Sequence, residues 1–428
     1  MPGRKQIITA ILVCASISVI GAEPAQETLL PLHDGRDAYT PRAAFGKDVF
    51  LVTWQSGRTG PGDIRKGLHF IGDIVACRVD KSGKALDAAP TVVCGAADLQ
   101  EKPQVAFGGN TFLAVWQDAR NGKDWDLYAA RILPDGKVLD KEGFLVSGGP
   151  HNQAKPRVAW DGKSFAVVWQ DFRDGKYYSI YTARISTDGK VLDAEGVKVA
   201  SGGFYHCFEP ALAAVGGGRS FVLNLAVGLP VDTYRCPMAQ GWFIADGKPD
   251  SAPAYALDKK KDSKHGPEDR AQPIALAFGG GAFLSAWKND ASLGRGFGPD
   301  GNAALFDDKG ARKESLNFSG GQGKTDSKRI LDPDIVWDGS AFLLAWYEFV
   351  RGKKDDCPMD ATFVARVGPD GKTIGAVQKI AGTSANPASA PGVASDGSGL
   401  SLIAYERHPE TADVPIKVGL RILSTGGK

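Results

Sequence analysis

Five stretches of the chain share one alternation of positions: "FLVTW" at 50–54, "FLAVW" at 112–116, "FAVVW" at 165–169, "FLSAW" at 283–287 and "FLLAW" at 342–346. Each is a short apolar run bounded by turn residues, the pattern of a buried strand. Phenylalanine and tryptophan four residues apart share one face of such a strand, because side chains alternate with period two. That face is expected to pack against the next copy.

A proline precedes each of the five runs and recurs in two further copies, giving Pro41, Pro103, Pro156, Pro210, Pro273, Pro333 and Pro391. An arginine follows in five copies, at Arg78, Arg131, Arg184, Arg366 and Arg421, each five residues before a glycine. Asp135-Gly136, Asp188-Gly189 and Asp370-Gly371 are dipeptides that accept positive φ in tight hairpin turns. The unit therefore reads as four strands: one from the proline, one through Phe-x-x-x-Trp, one through the arginine and one after the glycine turn. In copies four and seven, Phe221/Leu225 and Leu400/Ala404 stand where the others have the aromatic pair.

Repeats of about 50 to 60 residues with four strands each predict an all-β, seven-bladed β-propeller of four-stranded antiparallel blades. The last copy ends without a fourth strand, while residues near Thr28 to Leu32 match a fourth strand that lacks the preceding three. The N-terminal strand is therefore expected to complete blade seven and close the ring. An open solenoid or a pair of stacked sandwiches leaves these complementary ends without a role.

The repeats resemble those of secreted bacterial β-propeller proteins along nearly the whole mature chain, which implies a fold and leaves the activity open. Trp-Gln-Asp at 116–118 and 169–171 resembles tryptophan-aspartate repeats, but the Gly-His element and spacing of that family are missing. Sialidase propellers also carry Asp-Gly turns. Their box requires an aromatic soon after the glycine, and Gly136 and Gly189 are followed by Lys-Val-Leu.

Composition narrows the picture. With 54 glycines, 25 prolines and 43% hydrophobic residues, the chain is turn-rich and still able to build a core. A net charge of +2 with well-mixed signs offers no field to recruit nucleic acid. Arg4 and Lys5 followed by the apolar run at 7–22 read as a signal peptide cleaved near Ala22, so residues 23–428 form the propeller domain. The run is short for a membrane span. The mature protein is thus expected to be secreted or periplasmic, monomeric and not inserted in a membrane. Cys14 as a lipoprotein cysteine fits less well, since Val13 stands where a small residue is expected.

Five cysteines remain after the signal peptide. Cys207 and Cys236, both assigned to one face of blade four, are candidates for a disulfide, as are Cys77 and Cys94 on neighbouring strands of blade one. Cys357 is left over. Metal-ligand spacing and phosphate-binding loops are missing, so no cofactor is expected.

Propeller geometry sends the connections between blades, and those between second and third strands, to one face. These loops are the long ones here, and binding residues concentrate on long loops held by a rigid scaffold. All six histidines fall on that face, too dispersed over the blades for a single metal. The expected binding residues are Tyr39, Trp125, Tyr177, Tyr205, His206, Tyr234, Arg235, Arg351, Arg407 and His408. The leading reading is a non-catalytic binding module for a protein or polysaccharide. The alternatives are an extracellular propeller glycoside hydrolase or lyase, and a structural cell-surface protein. Paired carboxylates would serve a hydrolase, and Glu348 and Glu406, on adjacent blades, are its first candidates. Asp118 with Arg120 and Asp171 with Arg173 repeat with the blade and are expected to form structural ion pairs.

Overall fold

A computed structural model describes residues 26–57, 72–201, 205–228, 238–250, 255–256, 273–287, 301–318, 328–350, 359–383 and 385–425. The expected signal peptide lies outside these residues. The described residues contain strands and no helix. Seven antiparallel sheets follow one another along the chain, each with its first three strands in sequence order. They are the blades of a seven-bladed propeller.

The first strand of every blade lies innermost and packs against the first strands of both neighbours. These strands are Ala38–Gly46, Gln100–Gly108, Gln153–Trp160, Tyr205–Gly216, Pro273–Gly279, Lys328–Trp337 and Ala388–Ser395. Thr28–Leu29 supplies the fourth strand of blade seven, with Thr28 opposite Leu420 and Leu29 opposite Gly419. The ring is closed by its N-terminal strand, as the sequence predicts. Blade four departs from the pattern, because its fourth strand is broken into Lys248–Pro249 and Tyr255–Ala256, both paired with Met238–Ala245.

The core is distributed over seven apolar clusters, each shared by two adjacent blades. Phe112 and Trp116 of blade two join Leu51, Ile74 and Ala76 of blade one. Phe342 and Trp346 of blade six likewise join Leu284 and Leu305 of blade five. The aromatic face thus packs on the preceding blade, which corrects the expected direction. The following blade contacts the opposite face, and its approach requires glycine at the end of the inner strand. A Cβ on Gly108 would fall within the Trp160 ring, and one on Gly279 within the Trp337 ring.

Register revises blade seven. The pairs Glu101–Gln117 and Ser389–Glu406 occupy the same place in their blades, so Tyr405, not Ala404, stands where Trp116 does. Tyr405 is fully buried against blade six. Blade seven therefore keeps an aromatic at the position, one residue later than the sequence pattern suggests.

The cysteines also differ from expectation. Cys77, Cys94 and Cys207 are buried free thiols. Cys94 lies opposite Ile74, and the alternation of the third strand sends Ile74 and Ala76 toward blade two but Val75 and Cys77 toward blade seven. The two thiols occupy different clusters on opposite faces of blade one, so no disulfide joins them. Cys207 packs among Val168, Ile180 and Val222 between blades three and four, and Cys236 and Cys357 lie outside the described residues. Burial pushes each of the three thiols up to about 12, the reverse of what a nucleophile needs.

The closing strand is held by Leu30, 2% exposed in the cluster between blades seven and one, whose N–H donates to the Val418 carbonyl at 2.9 Å. Leu30→Ala is predicted to cost about 2–4 kcal/mol in equilibrium denaturation. A loss below about 1 kcal/mol would mean that this strand does not hold the ring.

Candidate functional site

Six inner strands carry a non-glycine residue at positive φ immediately before the repeat proline: Thr40, Lys102, Lys155, Glu209, Asp332 and Ala390, with φ between 42° and 56°. At each of these places the pairing register slips, the mark of a β-bulge. The bulges form a ring at the start of the inner strands, where the channel along the axis meets the long-loop face. Three of their N–H groups are taken by side chains of the preceding blade. Gln117 Oε1 accepts from Lys155 at 3.0 Å, Gln170 Oε1 from Glu209 at 3.3 Å and Glu406 Oε1 from Thr40 at 2.8 Å.

Glu406 is thereby committed to the scaffold. Its other oxygen accepts from Ser389 Oγ at 3.1 Å and lies 3.4 Å from His408 Nε2. Ser389 Oγ is also 2.8 Å from that same Nε2. A catalytic serine–histidine–carboxylate relay needs hydroxyl and carboxylate on opposite ring nitrogens. Here they share one, and Ser389 is 1% exposed, so the constellation is a buried polar network.

Glu348 fills a different place. Trp116 Nε1 donates to Asp118 at 2.8 Å, Trp169 Nε1 to Asp171 at 2.7 Å and Trp346 Nε1 to Glu348 at 3.0 Å. Glu348, 4% exposed, is blade six's version of the repeated carboxylate that holds the tryptophan indole. In blades two and three that carboxylate also binds Arg120 or Arg173 through two oxygens, at 2.6–2.9 Å. The guanidinium then lies over Tyr128 or Tyr181, 3.9 and 4.3 Å from the ring centroid.

The remaining candidates fall into two groups. Arg407 pairs with Glu27 at 3.3 Å and donates to the Asn386 carbonyl, which fastens the N-terminal segment. Tyr39 donates to Asp37 at 3.1 Å. Trp125 is half-buried, and its backbone is held by Asn152 and Gln153 of the neighbouring blade. Tyr205 is a strand residue whose side chain is outside the described set, as are Tyr234, Arg235 and Arg351 entirely.

Tyr177 and His206 come together. Their rings are 5.5 Å apart and nearly perpendicular, within a cluster that also holds Phe172, Tyr178 and Phe208. His206 is stacked on Phe208 at 5.1 Å and 12°, and its Nδ1 accepts the Tyr178 N–H at 3.1 Å. His151, exposed, meets Phe172 edge-on at 5.6 Å. All five other rings are half-buried. One residue beyond Phe208, Glu209 forms an ion pair with Lys155. Sequence reasoning missed Phe172 and Phe208. Phe172 follows the repeated Trp-Gln-Asp where blade two has Ala119, a substitution that could have drawn attention to it.

The search of solved structures finds this fold in a protein of unknown function from Dyadobacter fermentans, with TM-score 0.50 and 13% identity over 94% of this chain and 98% of that one. An α-L-arabinofuranosidase of Fusarium graminearum follows at TM-score 0.46 and 12% identity, with the same coverage. An α-L-arabinanase of Penicillium chrysogenum gives 0.45 and 10%, again with that coverage. At such identities the likeness extends to the fold alone. No protein-family model and no curated protein matches the chain.

Asp171 carries no exposed side-chain surface and serves both Trp169 and Arg173. Asp171→Ala leaves the half-buried Arg173 guanidinium and the buried Trp169 indole without their shared acceptor and is predicted to cost roughly 1.5–3 kcal/mol, measured by urea unfolding. Burial holds His206 below its usual value, so folding favours the neutral ring. Stability from this group is complete above about pH 6.5 and declines as pH falls through the lowered folded value. The drop in unfolding free energy between pH 7.5 and 5 should accordingly be smaller in His206→Gln than in the parent; equal drops would remove the assignment.

Proposed function

We propose that the protein is an exported, non-catalytic binding module that takes a polysaccharide or protein ligand on its long-loop face, over the aromatic cluster of blades three and four. The observation that carries this reading is the cluster itself. Half-buried Phe172, Tyr177, Tyr178, His206 and Phe208 form a rigid, preordered surface beside the Lys155–Glu209 pair. Rings supply contact area at little entropic cost, and flanking charged groups suit the hydroxyls of a sugar chain. The absence of catalysis is supported by Glu348 and Glu406 each having a structural partner in the scaffold.

Affinity electrophoresis against soluble plant and bacterial polysaccharides, followed by protein capture on the same face, tests the reading. Tyr177→Ala is predicted to weaken the retained ligand about tenfold while leaving the unfolding midpoint within a few degrees of the parent. Release of reducing ends from any polysaccharide by the native chain would overturn the non-catalytic reading. Unchanged affinity in Tyr177→Ala and His206→Ala together would move the site elsewhere.

A further inference from the structure

A cavity of about 350 Å³ runs along the axis, lined by all seven inner strands. Its wall is chiefly alanine, valine, leucine and isoleucine, with four polar side chains: Arg42, Gln104, Arg157 and Asp334. Each is the residue directly after its repeat proline, opposite Thr53, Val115, Val168 and Ala345 in turn. Equivalent register puts all four at one depth. The repeat thus brings the residue after the proline to the same layer, and among the described residues only these four blades place polar groups there.

The charges in that layer are segregated. Blades one, two and three contribute guanidinium, amide and guanidinium in succession, while blade six contributes the carboxylate. The bulge residues extend the division, with Lys102 and Lys155 on blades two and three and Glu209 and Asp332 on blades four and six. Lys155 and Glu209 form a pair that joins the two arcs.

The side chains are fixed by the backbone around them. Arg42 Nη1 donates to the carbonyls of Pro41 at 2.8 Å and Pro391 at 3.3 Å, Gln104 to Pro103 at 2.9 Å and Arg157 to Pro156 at 3.3 Å. Asp334 accepts the N–H groups of Ile335 and Val393. Burial, and secondarily Arg42, pull Arg157 down to about 10 against the opposing pull of Asp334 and Asp332, which leaves it charged at neutral pH.

We propose that this channel is a binding site for a small amino-acid zwitterion, its carboxylate on the Arg42–Gln104–Arg157 arc and its ammonium at Asp334. A lone oxyanion would satisfy the arc and face a carboxylate across the channel; a lone cation would face two guanidiniums. Separated opposite charges on one molecule match both sides, and the aliphatic wall accepts a side chain. Arginine forks and an amide suit a carboxylate's paired oxygens. The volume lies at the lower end of the range for small-molecule sites. This site is independent of any ligand on the aromatic cluster.

Isothermal titration of the mature chain with glycine, L-leucine and 4-aminobutyrate tests the proposal and separates short from long charge spacing. N-acetyl-L-leucine, L-leucinamide and inorganic phosphate serve as single-charge probes. At least one zwitterion is expected to bind with a dissociation constant at or below about 1 mM. The analogues of leucine and phosphate should bind at least about tenfold more weakly than the best zwitterion, and Arg42→Met should weaken that zwitterion by a similar factor. Phosphate or N-acetyl-L-leucine binding as tightly as the best zwitterion, or no binding by any of the three, overturns the proposal. The comparison of probes on the native chain decides the matter even if Arg42→Met fails to fold.

Discussion

The backbone N–H at the point where six of the inner strands slip register before the repeat proline is the constraint on which much of this molecule depends. Proline cannot donate to the ladder, and the bulge leaves its neighbour at positive φ, with the N–H groups of Thr40, Lys155 and Glu209 directed at the preceding blade. An unpaired buried N–H is costly, so a partner must come from outside the blade. Gln117, Gln170 and Glu406 supply it from the preceding blade. The same irregularity therefore couples blade to blade, shapes the mouth of the channel and fixes the depth at which Arg42, Gln104, Arg157 and Asp334 enter it.

That coupling explains why conspicuous carboxylates have scaffold roles. Glu406 occupies the site of a repeated glutamine and Glu348 that of a repeated aspartate, so each inherits the hydrogen bond of the residue it replaces. In the sequence both look like breaks in a pattern and hence like candidates for chemistry. Register shows that they belong to different positions of the unit, one turned toward the neighbouring bulge and the other toward its own tryptophan.

The arginine of the repeat has a comparable explanation. Arg78, Arg131 and Arg184 each bind an aspartate nine residues on, Asp87, Asp140 and Asp193, through two oxygens. The fork closes the turn between third and fourth strands, and in blade six Arg366 finds Asp338 by a different route. The spacing was present in the sequence, whereas the substitute in blade six could be found only through space.

Period-two apolar runs, recurrent prolines and Asp-Gly turns determined the seven blades and the closure by the N-terminal strand, because these depend on local backbone preference and on burial of alternating faces. Face by face, the same alternation separates Cys77 from Cys94, but it does so only once the two strands are placed in register. Tertiary structure alone decided that Tyr405 fills a tryptophan's place, that Tyr177 and His206 meet Phe172, Tyr178 and Phe208 across two blades, and that four post-proline residues share one layer. Each of these rests on a one-residue register or on contact between strands far apart in the chain. A pattern read along one dimension does not contain that information.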